Sequence, residues 1–158
     1  MQFTLEKHIA APPMRVFAAA SDFRNAPQRI HGIKKVEMLS TGPVGVGTRF
    51  KETRVLFKKE ATEVMEVTAF DPPRSYTLGS ESCGCRYSSV LRFTPKGSGT
   101  DVTMTFEAVP LTTFAKIMSV VMRPLIKSSL KLIAKDLDDL KAAVEGPPAK
   151  GAAAAHPA

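Results

Sequence analysis

The sequence has no tryptophan, two tyrosines, two cysteines and three histidines in 158 residues. Cys83 and Cys85 are separated only by Gly84. A bridge across one glycine is strained, so two free thiols in a hairpin are the expectation. His8, His31 and His156 stand at no metal-ligand spacing from the cysteines, so no metal site is expected. No run approaches the roughly 20 apolar residues that cross a bilayer. Met1 to Glu6 lacks the basic stretch and apolar run of an export signal, which points to a cytoplasmic location. Phosphate loops of the Gly-x-Gly-x-x-Gly or Walker type are missing, and so is a Gly-x-Ser-x-Gly nucleophile elbow. The glycines of Gly42 to Gly47 precede a strand and offer no helix N-terminus to a phosphate. No cofactor is implied. Acidic residues are also short, 15 against 22 basic, for a formal charge of +7. The excess is scattered and carries no nucleic-acid-reading motif, so nucleic acid is not an expected partner. One basic row, Lys127, Lys131 and Lys135, steps by four along a helix face. It reads as a solvated face, with an anionic membrane or partner surface as the alternative.

What the chain does contain is pattern. Hydrophobic residues make up 44% and charged residues 23%, a composition that suits one domain with a proper core. Residues 1–145 read as that domain, and 146–158, rich in Ala, Pro and Gly, as a disordered tail. Phe3 to Ile9 alternates as a first strand, with Phe3, Leu5 and Ile9 on differing edges of the core. Pro13 suits the first turn of a helix running to Ala20, and Ser21 or Asp22 caps a second through about Ile30. Strands are predicted over Val36–Leu39, Thr48–Phe57, Ala61–Phe70, Ser75–Glu81, Arg86–Thr94 and Thr100–Val109. Their turns are Lys58-Lys59, Asp71-Pro72-Pro73, Cys83-Gly84-Cys85 and Pro95 to Gly99. Leu111 to Val144 is predicted as one long amphipathic helix, kinked beside Pro124. Its stripes, Leu111, Phe114, Met118, Val121 and Leu125, then Ile126, Leu130, Ile133, Leu137, Leu140 and Val144, are expected to cover the sheet.

Alternation sorts the site candidates. Tyr76 and Leu78, then Tyr87, Ser89 and Leu91, then Met104 and Phe106 share apolar faces. With Phe50, Met65 and Val67 from the sheet, and Phe114, Met118 and Met122 from the helix, they are the expected lining of a cavity. Methionine adapts to differently shaped apolar partners, although it also serves as plain core filler. If Phe50 faces inward, so do Glu52 and Arg54; if Met65 and Val67 face inward, so does Glu63. The sequence leaves that choice of face open. Inward, a carboxylate and a guanidinium would pair and could hold a carbonyl or carboxylate, and a buried Glu could exchange protons. Outward, they are solvated charges. Tyr76 and Tyr87 are core aromatics by the same reading, unless one hydroxyl anchors a ligand.

The order of strand, two short helices, six-strand meander and long C-terminal helix resembles the helix-grip fold of the START/Bet v 1-like (SRPBCC) superfamily. More narrowly it is similar to the polyketide cyclase/dehydrase and lipid-transport branch. The likeness is carried by Ala11–Phe17, Gly45–Phe50, Phe70–Arg74, Gly99–Thr103 and Leu137–Lys141. Each marks a turn or strand entry and none carries chemistry. The resemblance implies an α+β domain with a curved antiparallel sheet of about seven strands. It implies a lipophilic ligand held between sheet and C-terminal helix; a monomer or weak dimer is the separate expectation. Binding or transport of a hydrophobic small molecule or lipid is the leading expectation, with Tyr87, Arg54 and Glu52 as orienting groups. Two alternatives stand beside it. One is a cyclase or dehydratase using Glu52, Arg54 or Tyr87. The other is a protein-interaction module with a filled cavity and a working outer face at Lys127, Lys131 and Lys135.

Overall fold

A computed structural model describes residues 1–146. The alternating segments form a seven-stranded antiparallel sheet, ordered β1-β7-β6-β5-β4-β3-β2. Its strands are β1 (Gln2–Ile9), β2 (Ile33–Met38), β3 (Arg49–Leu56), β4 (Lys59–Asp71), β5 (Ser75–Ser82), β6 (Cys85–Lys96) and β7 (Gly99–Pro110). Strands β2 to β7 run as a meander, and β1 returns to pair with β7, Phe3 opposite Phe106 and Leu5 opposite Met104. Between β1 and β2 lie α1 (Pro13–Ser21), a single 3₁₀ turn at Phe23–Asn25 and α2 (Ala26–Arg29). After β7 come α3 (Thr113–Val121) and α4 (Arg123–Glu145). No described helix is long and apolar enough to cross a membrane.

One face of the sheet is the core face, and two bulges keep it continuous. A register shift between Val67 and Ala69 lets both Val67 and Phe70 point inward; another between Ile33 and Lys35 does the same for Ile33 and Val36. Against this face α1 sets Phe17, and α4 sets Leu137, Leu140 and Val144. Six rings, Phe17, Phe23, Phe50, Phe70, Tyr76 and Phe93, interlock there. Phe23 stacks on Phe50 at 4.7 Å, and Phe17 meets Phe93 edge-on at 5.3 Å. Such pairs add roughly 0.5–1.5 kcal/mol each beyond area burial, so this end of the interior is filled and rigid.

The structure corrects several details of the sequence reading. Phe3, Leu5 and Ile9 share one face, because β1 is regular against β7. The β3–β4 turn is Phe57-Lys58, both at positive φ (49° and 65°), one residue earlier than predicted. The second helix shrinks to a 3₁₀ turn and one α-turn, and β2 begins at Ile33. The C-terminal helix is not a single kinked rod. It is interrupted at Met122, two residues before the Pro124 ring that cannot donate to the preceding turn. Most of the first apolar stripe does not cover the sheet: Leu111, Phe114, Val121 and Leu125 are exposed, and only Met118 is partly buried. Only the second stripe covers it, with Leu137, Leu140 and Val144 buried. The tail beyond residue 146 lies outside the described residues.

Candidate functional site

The concave face is sealed at one end and loose at the other. Phe50, Val67, Tyr76 and Leu91 are buried beneath α1 and the C-terminal half of α4. Farther along the same strands, Leu78, Tyr87, Ser89, Met104 and Phe106 are only partly buried. In the helices, Met118, Ile126, Leu130 and Ile133 are partly buried too. The register places the sheet residues as neighbours: Leu78 opposite Ser89, Ser89 opposite Phe106, and Leu91 opposite Met104. Helix α4 packs on β1, α1 and α2, and its polar ties to β1, α1 and His31, at Asp138, Asp139, Lys141 and Val144, all lie in its C-terminal half. The result is a partly buried apolar stretch of the inner face, hereafter the cleft, floored by the sheet and backed by the aromatic cluster, in which Phe106 packs on Phe3 and Tyr87.

Of the lining expected from sequence, Leu78, Tyr87, Ser89, Met104 and Phe106 are strand neighbours on one face, and they, Met65 and Met118 are partly buried. Phe50, Val67, Tyr76 and Leu91 form the packed floor behind them. Phe114 stands apart, 72% exposed on α3, and Met122 occupies the helix break. Tyr76 is not free to meet a ligand: its hydroxyl donates to the Ala20 carbonyl at 3.2 Å. Burial, then the nearby Glu52 carboxylate, pushes its phenol far above the usual range.

The register left open by the sequence is the inward one. Glu52 is buried at 7% exposure, and Arg54 shares its face. Arg54 Nε donates to Glu52 Oε1 at 2.5 Å, and Nη1 donates to Asp136 Oδ2 at 2.7 Å. Glu63 lies directly across from Glu52 on β4. Two carboxyl groups therefore bond to one guanidinium in a partly desolvated place, with a third, Glu63, on the neighbouring strand, and the surplus negative charge has a consequence. Burial raises the Asp136 pKa to about 6, Arg54 pulls it back, and Glu52 and Asp139 push it up again. Glu63 is also raised, by burial first and by Glu52 second, with the Ser80 hydroxyl and Arg54 only partly offsetting this. Tyr87, at the open end, is pushed up to about 12 by burial, then by its neighbours Cys85 and Glu63. The cleft thus carries proton donors, the Tyr87 phenol and a carboxyl that holds its proton unusually well, beside an apolar surface. Such a site can hydrogen-bond a carbonyl or hydroxyl on an otherwise greasy molecule, and can relay a proton.

Asp136 and Ser80 were absent from the residues picked out by sequence. Asp136 did leave a signal. It lies three residues after Ile133 and four before Leu140, on the same helical face. Beyond it the network reaches the surface: Asp139 accepts from the His31 backbone N–H at 2.9 Å and from its ring at 3.0 Å. Cys83 and Cys85 are both free, Cys83 in the turn at φ 51°. Among the described residues no cluster of His, Cys, Asp or Glu could hold a metal ion. The outer face carries an open groove of about 540 Å³ between Arg49, Val64, Glu66, Gly79 and Arg86, which also touches Ser80 and Tyr87. It is solvated and lies across the sheet from the cleft.

A profile of the family described as polyketide cyclase/dehydrase and lipid transport matches residues 1–145. Solved structures agree on the architecture. TTHA0849 from Thermus thermophilus superposes with a TM-score of 0.75 at 22% identity, covering 91% of this chain and 97% of its own. Ara h 8.0201 gives 0.66 at 18%, covering 91% and 97%. The di-domain ARO/CYC BexL from the BE-7585A biosynthetic pathway gives 0.76 at 17%, covering 94% of this chain and 51% of that one. At these identities the likeness shows the fold, an α+β Bet v 1-like sheet gripped by a C-terminal helix. No curated protein sequence matches the chain.

Proposed function

The chain belongs to the polyketide cyclase/dehydrase and lipid transport family, and from that premise we propose that it binds a hydrophobic small molecule in the open half of its cleft. The observation that carries this reading is the contrast along the concave face. Phe50, Val67, Tyr76 and Leu91 are sealed, while Leu78, Tyr87, Ser89, Met104 and Phe106 on the same face are not. Apolar side chains left half-wet gain roughly 25 cal/mol for every Å² that a ligand removes from water. Tyr87 and Glu63 would orient a polar end of the ligand, with Glu52, Arg54 and Asp136 fixing the charge behind them.

The test is competitive. An environment-sensitive apolar dye should bind the wild type and be displaced by the true ligand class. Ser89→Trp fills the cleft and should abolish dye binding while leaving the melting temperature unchanged or higher. Leu78→Trp should do the same from the neighbouring strand. Dye binding that survives both substitutions would place the site elsewhere.

A second reading is favoured by one specific feature, the surplus of carboxyl groups around Arg54. Two acids bonded to one guanidinium with a third beside them is more than an anchor needs, and a raised Glu63 near Tyr87 suits proton transfer in a cyclisation or dehydration. On that reading Glu63→Gln or Glu52→Gln would keep ligand binding and lose turnover on a polyketide-like substrate. Loss of binding and turnover together would return both residues to an orienting role.

A further inference from the structure

Helix α3 presents an apolar face that nothing in the described fold covers. It is tethered at one end only: Leu111 N–H donates to the Gly84 carbonyl at 2.8 Å, and Ala115, its one buried residue, packs beside that glycine. Beyond the tether Phe114, Ile117 and Val121 are 72%, 62% and 64% exposed. Leu111, Val120 and Leu125 extend the patch. Single exposed apolar residues are ordinary, but seven within fifteen residues, Met122 included, form a patch that marks an interaction surface.

Charge says what the surface meets. From Ala108 to Lys135 the chain contains Lys116, Arg123, Lys127, Lys131 and Lys135 and no acidic residue. All five cations are exposed. None takes part in an ion pair among the described residues. A second copy of this chain is a poor occupant, because a two-fold contact through the patch would bring like-charged sets face to face. We propose that α3 and the start of α4 dock this protein on an anionic lipid bilayer. Phe114, Ile117 and Val121 enter the headgroup boundary, and the lysines and arginine contact lipid phosphates and carboxylates. Apolar side chains beside uncompensated cations on one short helical unit are the composition that lies in a membrane interface. The proposal goes beyond ligand binding and does not depend on what the cleft holds.

Co-sedimentation with vesicles decides it, using pure phosphatidylcholine and an equal mixture of phosphatidylcholine and phosphatidylserine. The wild type should partition onto the mixed vesicles, bind pure phosphatidylcholine weakly, and be released by high salt. Phe114→Ser with Ile117→Ser should reduce partitioning by about tenfold or more. Lys127→Ala with Lys131→Ala should reduce it by about fivefold per lysine on mixed vesicles only. All four sites are exposed, so the thermal melts should match the wild type. Failure of the wild type to sediment with mixed vesicles, or binding indifferent to charge and salt, would overturn the proposal. So would a concentration-dependent dimer that Phe114→Ser with Ile117→Ser dissolves, since the patch would then belong to a second copy.

Discussion

Arg54 is the side chain on which the interior electrostatics turn. Its guanidinium bonds to both Glu52 and Asp136, and all three side chains are less than a quarter exposed. Removing one partner of such a group leaves the others desolvated and uncompensated, at a cost of roughly 3–5 kcal/mol. Arg54→Met should therefore lower the urea midpoint sharply, far more than Arg86→Met on the outer face, whose ion pair with Glu81 is solvent-exposed. Asp136 sets a pH dependence. Its folded pKa of about 6 lies above the ordinary 3.8, so the folded state holds a proton that the unfolded chain releases. The Asp136 contribution to stability therefore falls as pH rises through that window, by an amount on the order of 3 kcal/mol. Glu63, also raised, acts in the same direction. The lowered carboxyls of Asp22, Asp71, Asp101 and Glu145 act oppositely, so the comparison is best made against Asp136→Asn. Denaturation of the two proteins from pH 4 to pH 6 should show the wild type losing stability relative to the variant. A parallel pair of curves would mean that Asp136 is ionised throughout.

Two connections show where local sequence and the fold disagree. The β3–β4 turn holds Phe57 and Lys58 at positive φ, a conformation that costs non-glycine residues about 1–2 kcal/mol each. The residues suited to such a turn are Asn-Gly. Replacing Phe57-Lys58 with that pair should raise the melting temperature by roughly 3 °C or more, because Phe57 is half exposed and contributes little packing. Helix α3 begins with Thr112, whose Oγ1 accepts from the Ala115 N–H at 3.1 Å. Thr112→Ala should loosen α3 by about 1 kcal/mol, visible as faster amide exchange from Ala115 to Met118, with little change in global stability. The strand pattern was legible because alternation is local: Tyr87, Ser89 and Leu91, or Val102, Met104 and Phe106, show it within one strand. The turn residue and the helix break were harder to read. Phe57 carries no turn signature, and Pro124 announces an irregularity without saying whether the helix bends or stops. The stripe from Leu111 to Leu125 does form a helical face, but periodicity cannot tell a face covered by the sheet from one left in water.

The inner face of the sheet is packed at one end and only partly buried at the other, and this asymmetry is the basis of the functional reading. The charged group beside it illustrates what one sequence withholds. Glu52 and Arg54 are two residues apart, so their shared face was evident, but which face required knowing that Asp136, far away on α4, arrives to meet Arg54. Filling is equally non-local: Phe17, Phe23 and Phe93 come from three separate segments to close one end. Whether the open end holds a ligand is the central question. Native mass spectrometry of protein purified without detergent, with organic extraction of whatever is bound, addresses this directly. An apolar compound bound at one per chain, and absent from Ser89→Trp, is the predicted result. A bare mass for the wild type, with no thermal shift across a lipophilic library, would contradict it.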